Sequence, residues 1–317
     1  MIKTTDLTKV FGEFRAVDGL SLNIMHSEIY GFLGPNGAGK TTTILMILGI
    51  VRPTYGQIHL FGERFHPNRL DMKRRIGVVP EKHPIGMWNW MTAHEYLQLF
   101  ADLYRVKSAD ARIKHLLHRV HLTEFEWKRV KEFSRGMLQK LSIVRALLHD
   151  PDILILDEPI SGLDPLGIKE VRDLILAENR EGRTIFISSH LLSEMEKICH
   201  RVAIISRGKL RAEGSMDSLL SKLVERRNIR VEVESIYPDL VQEIKALEYV
   251  VDVSAEGNVL NIQVPIQGDY RKVVAQFLID HGLVPLNMEQ KTPSLEEAFT
   301  VITREHVEKI TEDQETT

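Results

Sequence analysis

From the N-terminus to about residue 220, short apolar runs alternate with longer stretches whose apolar positions recur at helical spacing. That order predicts a mainly parallel sheet flanked by helices. Three runs, Ile29 to Leu33, Ile153 to Leu156 and Thr184 to Ile187, are nearly uninterrupted apolar stretches, as strands covered on both faces should be. Each gives way at once to polar residues or glycine. In open parallel sheets ligands bind beyond the carboxyl ends of the strands, so chemistry is expected at the residues that follow.

A second pattern begins after a charged, weakly periodic connection over 221–228 (SKLVERRN). Ile229, Val231 and Val233 alternate as a strand, and Leu240, Ile244 and Leu247 recur as a helix. Val250 to Val253 gives a strand, Glu256-Gly257-Asn258 a turn, and Leu260, Ile262 and Val264 the returning strand. A helix follows on Tyr270, Val273, Val274, Phe277 and Leu278, closed by Gly282, and then Val284, Leu286 and Met288 alternate again. The order is βαββαβ, that of a small α+β ferredoxin-like domain over 229–303. Ser294 and Glu297 have capping-box spacing ahead of a last helix, and 304–317 is an acidic, polar tail read as disordered.

The 317 residues favour two domains, here 1–220 and 229–303, and 43% hydrophobic with 27% charged residues indicates a folded, water-soluble chain. A net charge of -3 gives no global reason to expect nucleic acid or an anionic membrane as main partner. Cys199 is the single cysteine, which excludes an internal disulfide and fits a reducing cytosol. The start reads as mature sequence without a secretory signal, and no apolar run reaches the ~18–20 residues of a membrane-spanning helix. Any membrane role would come through another chain.

Gly34-Pro35-Asn36-Gly37-Ala38-Gly39-Lys40-Thr41, followed by Thr42, fits the P-loop pattern between a predicted strand and a predicted helix. Glycines there let backbone N–H groups converge on phosphate oxygens and the helix N-terminus adds partial positive charge. Lys40 then reaches the terminal phosphates and Thr41 supplies a Mg²⁺ ligand. The strand Ile153 to Leu156 ends in Asp157-Glu158, an acid pair suited to two tasks. Asp157 would hold Mg²⁺, and Glu158 would polarise the attacking water as general base.

On these motifs and their order the chain resembles the nucleotide-binding subunits of ABC transporters over about residues 1–220. Ser134-Arg135-Gly136-Met137 occupies the signature position, Ser161 to Pro165 resembles the D-loop, and Ser188-Ser189-His190 the switch histidine. The resemblance implies ATP and Mg²⁺ as cofactors, and a dimer with a second copy or a homologous ATPase subunit. In that dimer Ser134 and Gly136 of one subunit contact the γ-phosphate held by the P-loop of the other, and Asp164 of the D-loop is among the ATP-binding residues. It implies that His190 contacts the γ-phosphate or orients the attacking water, and that Phe11 lies against adenine. It also implies a separate transmembrane permease, with the ATPase peripheral on the cytoplasmic face of the membrane.

The position usually filled by glutamine is Glu81, which can ligate Mg²⁺ or position water but donates no amide hydrogen bond. Glu81, Arg135, Met137 and the segment Pro293 to Phe299 are together similar to an exporter-type branch of the family. Trp88 and Trp90 read either as core or as a contact for the permease. A ribosome- or DNA-directed ATPase is disfavoured by a single P-loop without sustained heptads. An importer ATPase is disfavoured by the βαββαβ extension, a guanine-nucleotide switch by the lack of an Asn-Lys-x-Asp segment, and a binding-only regulator by Glu158 and His190.

Overall fold

The computed structural model describes residues 1–82, 88–216, 218–219, 226–265 and 268–291. The chain divides into two compact units, Met1–Met216 and Asp217–Thr317.

In the first unit, β1 (Ile2–Phe11), β2 (Phe14–Ile24), β4 (Tyr55–Leu60) and β5 (Glu63–Arg64) form an antiparallel sheet in the order β2-β1-β4-β5. A second sheet has the order β10-β9-β3-β8-β7-β6. It is built from β3 (Ile29–Leu33), β6 (Ile76–Val79), β7 (Ile153–Asp157), β8 (Thr184–Ser189), β9 (Arg201–Ser206) and β10 (Lys209–Gly214). All its pairings are parallel except that of β10 with β9. Every residue of β3, β7 and β8 is buried, which is why these runs carry no polar alternation.

Helix α1 (Lys40–Ile47) leaves β3, and its Ile44, Met46 and Ile47 join buried side chains of both sheets in one core. A short α2 (Leu70–Lys73) precedes β6. A helical layer follows: α3 (Ala93–Tyr104) starts at a Thr92/Glu95 capping box, then come α4 (Ala109–Arg119) and α5 (Arg135–Leu147). Helix α6 (Pro165–Arg180) lies between β7 and β8, with Asp164 as its cap and Pro165 at its first position, where the missing N–H costs nothing. A short α7 (Leu192–Met195) follows β8.

The second unit has β11 (Arg226–Val233), α8 (Leu240–Lys245), β12 (Asp252–Glu256), β13 (Val259–Pro265), α9 (Arg271–Asp280) and β14 (Pro285–Lys291). The sheet is antiparallel throughout, in the order β12-β13-β11-β14, over a core that includes Ile229, Val231, Leu260, Ile262, Leu240 and Leu278. Two details differ from the sequence reading. Strand β11 begins inside the expected connection, because Arg226, Arg227 and Asn228 pair with Pro265, Val264 and Gln263. Val284 and Leu286 are largely exposed, so of that alternating trio only Met288 packs on the core. The expected helix after Ser294 and the tail 304–317 lie outside the described residues.

Candidate functional site

The loop between β3 and α1 is fixed by steric need at two glycines. A side chain on Gly34 would lie 2.5 Å from the Ile205 carbonyl oxygen, and one on Gly39 2.5 Å from that of Ala16. Gly39 also has φ 104°, outside the range other residues adopt without strain. Lys40, buried at the start of α1, donates from Nζ to the carbonyls of Gly34 (2.6 Å) and Pro35 (3.3 Å). Its Nζ also stands 3.2 Å from Glu158 Oε1, an ion pair whose alignment is not that of a hydrogen bond. The amine is therefore folded back over its own loop and held by Glu158, just past the end of β7, two strands away in the same sheet.

That acid is aimed by the sheet. Parallel pairing sets Asp157 of β7 opposite Ser188 of β8. Ser188 Oγ donates to Asp157 Oδ1 (2.5 Å) and accepts from the Glu158 N–H (3.0 Å). Glu158 has φ 50°, a strained value for a residue with a side chain, and this turn sends its carboxylate back toward Lys40. His190 Nδ1 is 2.8 Å from Glu158 Oε2. Glu158 is thus buried between the Lys40 ammonium and the His190 ring.

Asp157 accepts a further hydrogen bond from Thr41 Oγ1 at 3.1 Å. Its carboxyl is held above the usual carboxylate range, chiefly by burial; the Ser188 and Thr41 hydroxyls pull it down, while the charges of Glu81 and Glu158 push it up. Thr41, Asp157 and Glu81 form a set of hard oxygen donors at a site crowded with negative charge, which fits Mg²⁺. Among the described residues no cluster of three or more His, Cys, Asp or Glu side chains stands ready to hold a metal. The nucleotide phosphates would have to complete the shell.

A carboxyl that holds its proton more tightly when folded favours the folded state at low pH, and this contribution fades as pH rises through the raised value. Once ionised, Asp157 therefore works against the nucleotide-free fold. Asp157→Asn, whose amide can still pair with the two hydroxyls, is expected to raise the melting temperature without nucleotide by about 2–4 °C, the shift ~1 kcal/mol produces in a unit the size of Met1–Met216. The same variant should gain less stability than wild type from ATP with Mg²⁺. A lower melting temperature without nucleotide would contradict this account.

The predicted site residues separate into two groups. A cavity of about 350 Å³ is lined by Pro35, Asn36, Gly37, Gly39, Lys40, Thr41 and Thr42 of the loop, with Glu81 and Glu158. Its ring is that of Phe14, with Ala16 beside it, both missed in the sequence. Phe11 is half exposed under Lys9, whose Nζ stands 4.8 Å from the ring centroid, and does not line the cavity. Gly34 and Ala38 sit behind the loop, Ala38 being buried. Ser134, Gly136 and Asp164 line a different cavity of about 300 Å³ that shares no residue with the first. There Ser134 caps α5 by accepting from Met137 N–H (3.3 Å), and Asp164 caps α6 by accepting from Gly167 N–H (2.8 Å).

A phosphate loop between β3 and α1, with an acid pair at the end of β7 in the same sheet, defines a P-loop nucleoside triphosphatase. The family described as ABC transporter matches residues 17–161. The chain is 50% identical over 220 residues to the bacitracin transport ATP-binding protein BcrA of Bacillus licheniformis, covering 69% of this chain and 71% of that one. It is 32% identical over 308 residues to the linearmycin resistance ATP-binding protein LnrL of Bacillus subtilis (strain 168), covering 96% and 98%. A solved ATP-binding subunit of an ABC transporter superposes with a TM-score of 0.64 at 29% identity, covering 70% of this chain and 92% of that one. A dimeric bacterial ABC transporter cassette superposes with 0.61 at 26%, covering 68% and 99%. The protein belongs to the ABC transporter family as an ATP-binding subunit, and it is an ATPase.

Proposed function

We propose that two copies of this chain, or one copy and a homologous subunit, close around two ATP molecules and drive a separate transmembrane permease in the direction of export. The supporting observation is the separation of the nucleotide residues between two cavities that share no side chain. Ser134, Gly136 and Asp164 cannot reach the nucleotide of their own P-loop cavity by lining it, whereas a facing chain could bring their helix-capping turn to its γ-phosphate. A helix N-terminus supplies N–H donors and partial positive charge to an anion, so ATP would join the two chains. Loss of the γ-phosphate on hydrolysis would then let them part.

In this reading Lys40 binds the β- and γ-phosphates, Thr41, Asp157 and Glu81 hold Mg²⁺ with the phosphates, Glu158 polarises water and His190 steadies Glu158. Phe14, directly opposite Phe11 across the β1–β2 hairpin, offers its ring to the base, with Phe11 on the same face. No helix among the described residues is long and apolar enough to cross a membrane, so the membrane step falls to the permease. Trp90 is 64% exposed, which removes it from the core and favours a surface contact to that partner. The ferredoxin-like order of the second unit suits a dimer-contact or regulatory domain. The relatives named for bacitracin transport and linearmycin resistance favour an antibiotic as cargo.

Gly136 tests the composite site. A side chain there would meet nothing within 4 Å, so Gly136→Asp leaves its own chain undisturbed, and an acid in the first turn suits the helix. ATP binding at the P-loop should stay within about twofold, while hydrolysis falls by roughly 10²-fold, the scale of a lost transition-state donor. Unchanged hydrolysis would show that the second cavity takes no part.

A further inference from the structure

Arg135 is the first residue of α5, beside the Ser134 cap. A cation in a helix's first turn opposes the partial positive charge there, and α5 has no acidic residue in that turn to offset it. Among the described residues no carboxylate pairs with this guanidinium, whereas Lys140, further along α5, is paired with Glu170 of α6 at 2.5 Å. A residue placed so does little for its own helix, and the reason for its position lies in what it touches.

Its guanidinium lies against the backbone of Gly162. The three atoms that a side chain on Gly162 would strike first are Cζ and both Nη atoms of Arg135, and Gly162 has φ +67°. Gly162 belongs to the turns that leave Glu158: the Ser161 N–H donates to the Glu158 carbonyl (3.2 Å) and the Leu163 N–H to that of Ile160 (3.4 Å). Asp164 then caps α6. Arg135 thus belongs to the Ser134–Gly136 turn by its backbone and reaches the loop after Glu158 with its guanidinium. The Lys140–Glu170 pair ties the same two helices again further on.

We propose that Arg135 is a positioning residue that couples the signature turn to the loop following Glu158 in the same chain. Through it, the cap that faces a second chain's ATP and the carboxylate that faces the chain's own ATP are held in one register. The contact is internal to one chain; its consequence for turnover rests on the dimer reading above.

Hydrogen exchange on the full-length, nucleotide-free protein tests the contact directly. In Arg135→Ala the amides of Ser161 and Leu163 should exchange about tenfold faster, with P-loop amides unchanged, because the loop loses the plane packed on Gly162. Turnover should fall about tenfold at an ATP KM within twofold of wild type, the signature of a defect in the step and not in binding. Arg135→Lys keeps the charge without the planar fork and should behave like Arg135→Ala in both measurements. Unchanged exchange at Ser161 and Leu163 in Arg135→Ala would overturn the proposal whatever turnover does, as would slow exchange fully restored by Arg135→Lys. Light scattering of Glu158→Gln with ATP reports the dimer separately, so its failure would not be mistaken for failure of this contact.

Discussion

Glu158→Gln is expected to slow ATP turnover by about 10²- to 10⁴-fold, the contribution of a positioned general base, while nucleotide binding survives. The amide keeps the shape of the side chain and can still pair with His190, which now lies 2.8 Å from Oε2. What it loses is basicity, and with it the ion pair to Lys40 at 3.2 Å. Freed of that internal partner, Lys40 should meet the γ-phosphate more readily, so ATP affinity should equal or exceed that of wild type. Phosphate release and a fluorescent-nucleotide titration on the same preparation read the two effects apart. Wild-type turnover would remove Glu158 from the role of base.

Lys40→Ala should act in the opposite way, weakening ATP binding about 10- to 100-fold, the equivalent of ~1.5–3 kcal/mol for hydrogen bonds to a charged group. A second effect follows from burial. Lys40 and Glu158 are both almost fully enclosed, and removing the amine leaves Glu158 buried without its counter-charge beside Asp157. The variant should therefore melt below wild type, and Lys40→Ala combined with Glu158→Gln should recover part of that loss. A calorimetric titration together with a thermal scan checks both. A double variant less stable than Lys40→Ala alone would mean that the pair contributes nothing to the fold.

The parts of this site that are legible in the sequence are the local ones. The phosphate loop depends on spacing within eight residues, and the three fully buried strands announce themselves by the absence of polar alternation. Ser188 could not be assigned its two hydrogen bonds because they depend on β8 lying beside β7 with Asp157 opposite Ser188. Phe11 and Phe14 are separated by a two-residue turn and face each other across the hairpin. Nothing local in the sequence tells which ring turns into the cavity. The start of β11 is hidden because Arg226, Arg227 and Asn228, exposed or half-buried at the strand's beginning, look like a charged connection. Trp90 was ambiguous for a related reason: an aromatic serves equally in a core or at a contact surface, and only its exposure separates the two.

In the proposed dimer ATP is the joint between two chains, each supplying the cap that the other's P-loop cavity lacks. Light scattering on purified Glu158→Gln protein measures this most directly, since binding persists while the joint is no longer hydrolysed. With saturating ATP and Mg²⁺ the mass should double from the 36.3 kDa of one chain. With ADP, or with Gly136→Asp added, it should stay at that of one chain. A mass of one chain in the presence of ATP, from protein shown by titration to have ATP bound, would contradict the composite site.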